Sequence, residues 1–316
     1  MVDIEKEIAG LDWKREPKGL YEPIGYTLES GGKRLRPQLA ILASEAFGGK
    51  DEDVLPAALA LEVFHNFTLL HDDVMDRADV RRGRPTVHVR WNDNTAILSG
   101  DQMLIEAYKL LSRVPADKLP EVLRLFNKMG TEICEGQQYD VDFEAKQDTT
   151  IDDYLMMIRL KTSVLLATAL QIGAYIAGAD TKAQDALYQY GIDLGLAFQI
   201  QDDILDCWGD PATFGKAIGG DITCNKKTYV LLTALHTADP STRLELEHWL
   251  HAVHAPKEDK IQAVTELYNR LGVRKTCEEV VEQYTRKALD CLQDLPSNNA
   301  TQAFRTLAEK LIKRRK

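Results

Sequence analysis

Apolar residues recur at helical spacing along almost the whole chain. Leu59, Val63, Phe67 and Leu70 follow that rhythm, as do Leu187, Ile192, Leu196 and Ile200, and such a period lays one apolar stripe along a helix. No stretch shows the alternation with a period of two that marks a half-buried strand. The pattern therefore predicts an all-α fold. Helices are expected over residues 17–30, 35–47, 53–77, 94–112, 118–144, 151–177, 183–208 and 227–236, and through the remaining C-terminal third. Breaks fall at Gly31-Gly32, Gly48-Gly49, Arg81 to Thr86, Gly178 and Phe214 to Gly220, each a turn without the length or composition of a domain linker. No tandem repeat is present. One domain over residues 1–316, long enough to bury a sizeable core, is the simplest reading.

Charge and cysteine content narrow the choice of partners. A net charge of -10 argues against a nucleic acid as partner, because no broad excess of Lys and Arg exists to release counterions. Any anion must be bound locally. Cys134, Cys207, Cys224, Cys277 and Cys291 form no CxxC pair and read as reduced thiols of a cytoplasmic protein. The acidic stretch Met1 to Gly10 lacks the pattern of a secretory signal, and the apolar stretch Ser163 to Ala179 is interrupted by Thr and Gln, short of a clean membrane span. A stable membrane anchor is not expected.

Two acidic clusters share one spacing: Asp72, Asp73 and Asp76 in DDVMD, and Asp202, Asp203 and Asp206 in DDILD. A helix brings residues i and i+4 onto one face, so each cluster projects its first and last carboxylates together with a third beside them. With 28 Asp in 316 residues, roughly 0.2 copies of this pattern arise by chance, so the pair outweighs either member. Carboxylates gathered this way repel unless cations neutralise them. Mg²⁺ suits them, because it takes few carboxylates, keeps waters and shares its remaining positions with substrate phosphates.

Cationic and amide donors concentrate in four places. Gly31-Gly32-Lys33-Arg34-Leu35-Arg36-Pro37 sets Lys33 and Arg36 one turn apart at a helix start, where free backbone N–H groups add to an anion site. Arg81-Arg82-Gly83 follows the first acidic cluster with guanidinium forks suited to phosphate. Lys161-Thr162 lies in a mostly apolar helix, where a buried ammonium is costly without a partner. Lys216 and Lys226 flank the glycine-bearing loop after the second cluster. Any one cation pair on its own also suits a solvated surface. His65, seven residues before Asp72, shares the Asp face and reads equally as a structural or a functional histidine; His71, Asp79, Asp101 and Asp221 have weaker geometry.

Taken in order, these residues resemble the trans-isoprenyl diphosphate synthases, or polyprenyl synthetases. The resemblance runs from about Gly31 to Thr228 through GGKRLRP, DDVMD followed by RRG, the GQ-x-x-D segment Gly136 to Asp140, Lys161-Thr162, FQIQDDILD from Phe198 to Asp206, and GKxxGxD from Gly215 to Asp221. It implies an all-α barrel of long helices, usually a homodimer, whose central cavity carries both Asp motifs at its mouth. By the same resemblance Asp72, Asp76 and Asp202 are the principal ligands of about three Mg²⁺ ions, supported by Asp73, Asp203 and Asp206. Lys33, Arg36, His65 and Arg82 match the positions that hold isopentenyl diphosphate; Arg81, Lys161, Thr162, Gln199, Lys216 and Lys226 match those around the allylic diphosphate. Where the family usually has a Gly before the last lysine, this chain has Asn225 followed by Lys226-Lys227, which leaves open which lysine reaches the phosphate.

The implied reaction extends an allylic diphosphate by one five-carbon unit through an ionised intermediate. Phe64, Phe67 and Thr68, one to two turns before Asp72, are the expected wall or floor that limits product length, and they equally suit an ordinary core. Phe67 stands at the position where the family places a bulky residue in short-chain enzymes. With Thr68 beside it and no insertion in the first motif, the chain resembles geranylgeranyl diphosphate synthases, with a farnesyl diphosphate synthase as alternative. The basic tail Lys313 to Lys316 resembles a C-terminus that closes over the second diphosphate, and equally a solvated end. A class I terpene cyclase would leave GGKRLRP, His65 and Arg82 without a task. A non-catalytic partner subunit would have no reason to keep both Asp clusters.

Overall fold

The computed structural model describes residues 2–210, 218–252 and 255–313. Among these the fold is helical apart from two strands of two residues each, as the periodicity predicts. The described residues group into two compact units, described in turn. The first comprises the chain up to Lys128 with Thr168–Tyr188 and Leu295–Thr301; the second comprises Met129–Ala167, Gln189–Asp294 and the chain from Gln302.

In the first unit, α1 (Ile4–Ala9), α2 (Lys18–Leu28) and α3 (Leu35–Ala46) precede the central helix α4 (Asp51–Met75), which packs on α3 and on α6 (Asp93–Leu111). Three acidic residues, Asp51, Glu52 and Asp53, open α4 and complement its dipole, so the helix starts two residues before the expected position. Val54, Ala57, Ala58, Leu61 and Val63 are buried along it, the alanines allowing close packing. The helix ends in a Schellman motif: Ala78 N–H donates to the Asp73 carbonyl at 3.0 Å and Arg77 N–H to the Val74 carbonyl at 3.3 Å, with Arg77 at φ +51°. Thus the first acidic cluster sits on the last turn of α4. The chain then turns back through β1 (Val80–Arg81) and β2 (Arg84–Pro85), joined by Arg82 and Gly83, both at positive φ as a two-residue type I′ hairpin requires. Strands this short leave no alternation to read, which is why Arg81 to Thr86 looks only like a break. The four-residue α5 (Val87–Arg90) leads into α6.

The second unit takes most of α7 (Leu119–Ala145), then α8 (Ile151–Ile158), which continues through a π-helical turn, Arg159–Ser163, into α9 (Val164–Ile176), a helix that belongs to the first unit from Thr168 on. Thr150 caps α8 with a capping box through Asp153. The long α10 (Thr181–Trp208) carries the second acidic cluster near its end. It is followed by α11 (Gly220–Thr223), α12 (Tyr229–Thr237), α13 (Pro240–His251), α14 (Lys257–Arg270), α15 (Val273–Asp290) and α16 (Asn299–Lys313). Helix α12 packs on α8 and α15, and α14 packs on α11, α13 and α15.

By length and composition alone, Asp51–Met75 and Ile151–Ile176 are apolar enough to cross a membrane, which the sequence reading, resting on Ser163 to Ala179, does not anticipate. Both are mostly buried within the protein, as core helices are. None of the five cysteines is in a disulfide.

Candidate active site

In the first unit the three aspartates of DDVMD divide their tasks. Asp73 is buried and accepts a 2.7 Å bond from Arg81 Nε, while Arg81 Nη2 lies 3.8 Å from Asp72. Burial raises the Asp73 carboxyl above its ordinary range, and Arg81 opposes that shift. Asp72 is half-buried and Asp76 exposed. The expected pair of outward carboxylates is therefore present, but the third is turned inward by the hairpin arginine instead of standing beside them.

The same unit gathers the cations of GGKRLRP and RRG. Lys33 is exposed and lies before α3, whose N-cap is Arg34 at φ +45°, so Lys33 and Arg36 are not neighbours on one helical turn as the spacing suggests. Arg82 donates to Ser30 Oγ at 3.2 Å and to the Gly31 carbonyl. A Cβ on Gly32 would stand 3.0 Å from the Arg82 guanidinium, so the bare glycine lets the two segments meet. His65 is held well below its ordinary pKa, first by desolvation and then by Arg36, Arg82, Arg81 and Arg34, and is neutral at physiological pH. Burial lowers the Arg36 guanidinium to about 10, with Glu62 opposing and Arg82 adding to the shift. Four arginines around one neutral imidazole concentrate positive charge on this part of the unit. His71 is placed elsewhere: its Nε2 meets the Ile97 carbonyl at 3.0 Å and its ring packs edge-on against Phe67, a structural role.

Below Asp72 on α4, Thr68 Oγ1 donates to the His65 carbonyl at 2.8 Å. Phe64 is buried and packs edge-to-face with Phe67 and Phe126 at centroid distances of 5.4 and 5.1 Å. Phe126 in turn meets Tyr108 at 5.3 Å. An aromatic cluster thus closes this part of the unit.

The second unit divides its carboxylates differently, burying both Asp203 and Asp206. Asp202 is half-buried, whereas Asp203 is buried and accepts from Tyr154 Oη at 2.5 Å, Tyr229 N at 3.0 Å and Gln199 Nε2 at 3.3 Å. Burial, with Asp221 adding, raises the Asp203 carboxyl to about 7. Asp206 accepts from Asp221 N at 3.0 Å, and its carbonyl accepts from Gly219 N at 2.7 Å, tying the start of α11 to α10. The bond to Asp206 uses the Asp221 backbone N–H and not its carboxylate.

Lys161 and Thr162 lie in the π-turn, a local widening that recurs at functional positions. Lys161 Nζ is 2.6 Å from Asp140 Oδ2, and Thr162 Oγ1 donates to Gln199 Oε1 at 3.4 Å. A Cβ at Gly136 would stand 2.4 Å from Lys161 N, so this glycine admits the turn against α7, and Asp140 waits one helical turn further on. The GQ-x-x-D and Lys-Thr motifs are thereby one device. Asn225 sits at φ +55°, which explains both the family glycine and the tolerance of Asn. Its Oδ1 accepts from Lys260 Nζ at 2.7 Å and its Nδ2 donates to the Leu250 carbonyl at 2.8 Å. Lys227 donates to the carbonyls of Phe143, Glu144 and Lys146 at the C-terminus of α7, while Lys226 is exposed. Lys216 lies outside the described residues, as does the end of the basic tail.

Among the described residues no three His, Cys, Asp or Glu side chains converge as a preformed metal site. What each cluster offers is carboxylate oxygen at a helix end, a hard donor set that fits a cation completing its shell with water and phosphate. Sequence reasoning did not single out Glu62, Arg34, Tyr154 or Tyr229. Glu62, three residues before His65 on the same helical face, was the one with a legible signal.

A family model described as polyprenyl synthetase matches residues 17–268. The geranylgeranyl diphosphate synthase of Methanosarcina mazei is 40% identical over 282 residues, 89% of this chain and 86% of that protein. The geranylfarnesyl diphosphate synthase of Natronomonas pharaonis is 37% identical over 95% of this chain and 91% of its own. A crystal structure of a geranylgeranyl pyrophosphate synthase matches with a TM-score of 0.92 at 44% identity, covering 99% of this chain and 96% of that one.

Proposed function

The chain belongs to the polyprenyl synthetase family, and from that premise we propose that this trans-prenyltransferase condenses isopentenyl diphosphate with allylic diphosphates to make geranylgeranyl diphosphate. The observation that carries the reading is the gathering of Arg36, Arg81 and Arg82 around a neutral His65, in a chain of net charge -10. A cyclase, which ionises one substrate alone, has no use for a second anion site.

Family membership brings a requirement for divalent metal. Mg²⁺, about three ions, would be held by Asp72, Asp76 and Asp202 with Asp73, Asp203 and Asp206 in support. When bound it supplies the positive charge that stabilises a departing diphosphate. Arg81, Lys161, Lys216 and Lys226 bind and orient the allylic diphosphate. The hydroxyl and carbonyl of Thr162 and the amide oxygen of Gln199 direct negative dipole ends at the allylic cation, in surroundings apolar enough to keep water away. Lys33, Arg36, His65 and Arg82 hold isopentenyl diphosphate so that its double bond meets that cation. A carbon–carbon bond forms, and the released diphosphate takes the proton lost from the new chain. Phe64, Phe67 and Thr68 limit chain length.

Three further elements belong to the same proposal. Residues 1–316 act as one catalytic domain, so that neither unit is active alone. The enzyme is a homodimer, a reading supported by the exposed apolar residues Ile97, Leu98, Ile105 and Tyr108 on α6. It works in the cytoplasm, supported by five cysteines without a disulfide. Replacing Arg82 with Gln tests the two-site reading: the KM for isopentenyl diphosphate rises while that for the allylic substrate stays within about twofold. An equal rise for both substrates would contradict it.

A further inference from the structure

Between Lys33 and Arg36 lies a third cation that does not face the anion site. Arg34 is 4% exposed, and its guanidinium is bound on every side within the protein: Nη1 to Glu62 Oε1 at 2.9 Å, Nε and Nη2 to Glu5 at 2.9 and 3.3 Å, and Nη2 to the Leu28 carbonyl at 2.5 Å. Its φ of +45° costs about 1 kcal/mol in a residue with a Cβ, so the partners hold it against that cost. Burial works against its charge, and the bonds to Glu5 and Glu62 outweigh burial and hold the group cationic.

Glu5 is an exposed partner on α1, whereas Glu62 is 2% exposed, in the interior of α4, one turn before His65 and Asn66. Asn66 Nδ2 donates to Glu62 Oε1 at 3.1 Å and orients it. Beyond Arg34, the Glu62 carboxylate attracts Arg36 and Arg82 and offsets part of the penalty of their desolvation. Its second oxygen, Oε2, and Arg36 Nε are both buried without a hydrogen-bond partner. A buried carboxylate with one oxygen unspent, under several cations of an anion site, does more than close one ion pair. A structural bridge would satisfy both oxygens.

We propose that Glu62 is a positioning residue of the isopentenyl diphosphate site, fixing the Lys33-to-Arg36 loop through Arg34 and drawing the Arg36 and Arg82 guanidinium groups into place. The inference rests on the assignment of Lys33, Arg36, His65 and Arg82 to that substrate. Glu62 itself touches no substrate. Its effect is to set the spacing between the exposed Lys33 and the half-buried Arg36, which a phosphate must bridge.

The test compares Glu62→Gln, Glu62→Asp and Arg82→Gln in the full-length enzyme, by steady-state kinetics and by calorimetric binding of isopentenyl diphosphate, with Tm measured for each. Glu62→Gln keeps an acceptor for Arg34 and loses the charge. The expected result is a rise of about tenfold in both KM and Kd for isopentenyl diphosphate, equivalent to about 1.4 kcal/mol. The allylic KM and kcat stay within twofold, and Glu62→Asp recovers part of the loss. Wild-type constants in Glu62→Gln alongside a raised KM in Arg82→Gln would overturn the inference and leave the substrate assignment standing. No change in either variant would remove the assignment and the inference together. A lowered Tm with kcat and both KM values worsened alike would show a purely structural role and also overturn it. If Glu62→Gln fails to fold, the double variant Arg34→Met with Glu62→Leu replaces the pair by apolar volume. It shows the same selective rise, or else the inference falls.

Discussion

The Lys161 ammonium lies 2.6 Å from the Asp140 carboxylate, and Gly136, one turn earlier on the same helix, gives the π-turn room to approach. Asp140 thus aims the lysine without being an anion-binding group itself. Asp140→Asn keeps a hydrogen-bond acceptor but releases the counter-charge, and kcat/KM for the allylic substrate is expected to fall, by up to about 100-fold, from misplacement of the lysine alone. Steady-state kinetics checks this, with the KM for isopentenyl diphosphate as the unchanged internal control.

Adjacent lysines after the second acidic cluster separate into different tasks. Lys227 caps the carbonyls that end α7, whereas Lys226 is exposed on the loop that Asn225 and Lys260 hold. Lys227→Met therefore loses about 1–2 kcal/mol of stability, a Tm decrease of about 1.5–3 °C, with substrate constants near wild type. Lys226→Ala shows the converse, a raised allylic KM at unchanged Tm. Thermal melts and kinetics on the two variants decide it.

His65 gives a pH dependence of definite sign. Desolvation and the surrounding arginines keep its folded pKa well below 6.5, so below pH 6.5 the unfolded chain takes up a proton that the folded chain refuses. Stability on this account is lost as pH falls through 6.5 towards the folded value, and His65 contributes no slope above it. Urea unfolding at pH 5.5 and 7.5 should show a smaller loss in His65→Gln than in wild type. Because the folded ring is neutral at pH 7.5, Gln also keeps the isopentenyl diphosphate KM within about threefold.

Chain length is expected to follow the aromatic cluster. Phe67 is half-buried and Phe64 fully buried against Phe67 and Phe126. Phe67→Ala lengthens the product beyond twenty carbons at modest cost to stability. Phe64→Ala costs about 3–5 kcal/mol because a core ring is removed. Mass analysis of the dephosphorylated prenyl chains and chemical denaturation give the two readouts.

The helices were legible because burial of one face writes a 3.6-residue period into the sequence, and residues 93–111 and 119–145 lie within one position of expectation. What stayed hidden depends on partners distant in sequence. The i, i+4 spacing shows that Asp72 and Asp76 share a face, but the inward turn of Asp73 is set by Arg81, which the turn after α4 folds back onto it. Asp203 is likewise set by Tyr154 and Tyr229, 49 and 26 residues away. The π-turn at Lys161 leaves no mark in hydropathy, since it inserts one widened turn into a continuous apolar run. GGKRLRP reads as a row of equivalent cations. Only the left-handed backbone of Arg34 reveals that the middle one faces the core.

One incubation bears most directly on the assigned chemistry: purified protein with Mg²⁺, isopentenyl diphosphate and, in separate reactions, dimethylallyl, geranyl and farnesyl diphosphate, with products identified by mass after phosphatase treatment. The expected result is condensation from these allylic starters, ending at a single twenty-carbon chain. Folded protein that condenses isopentenyl diphosphate with none of the three would contradict it.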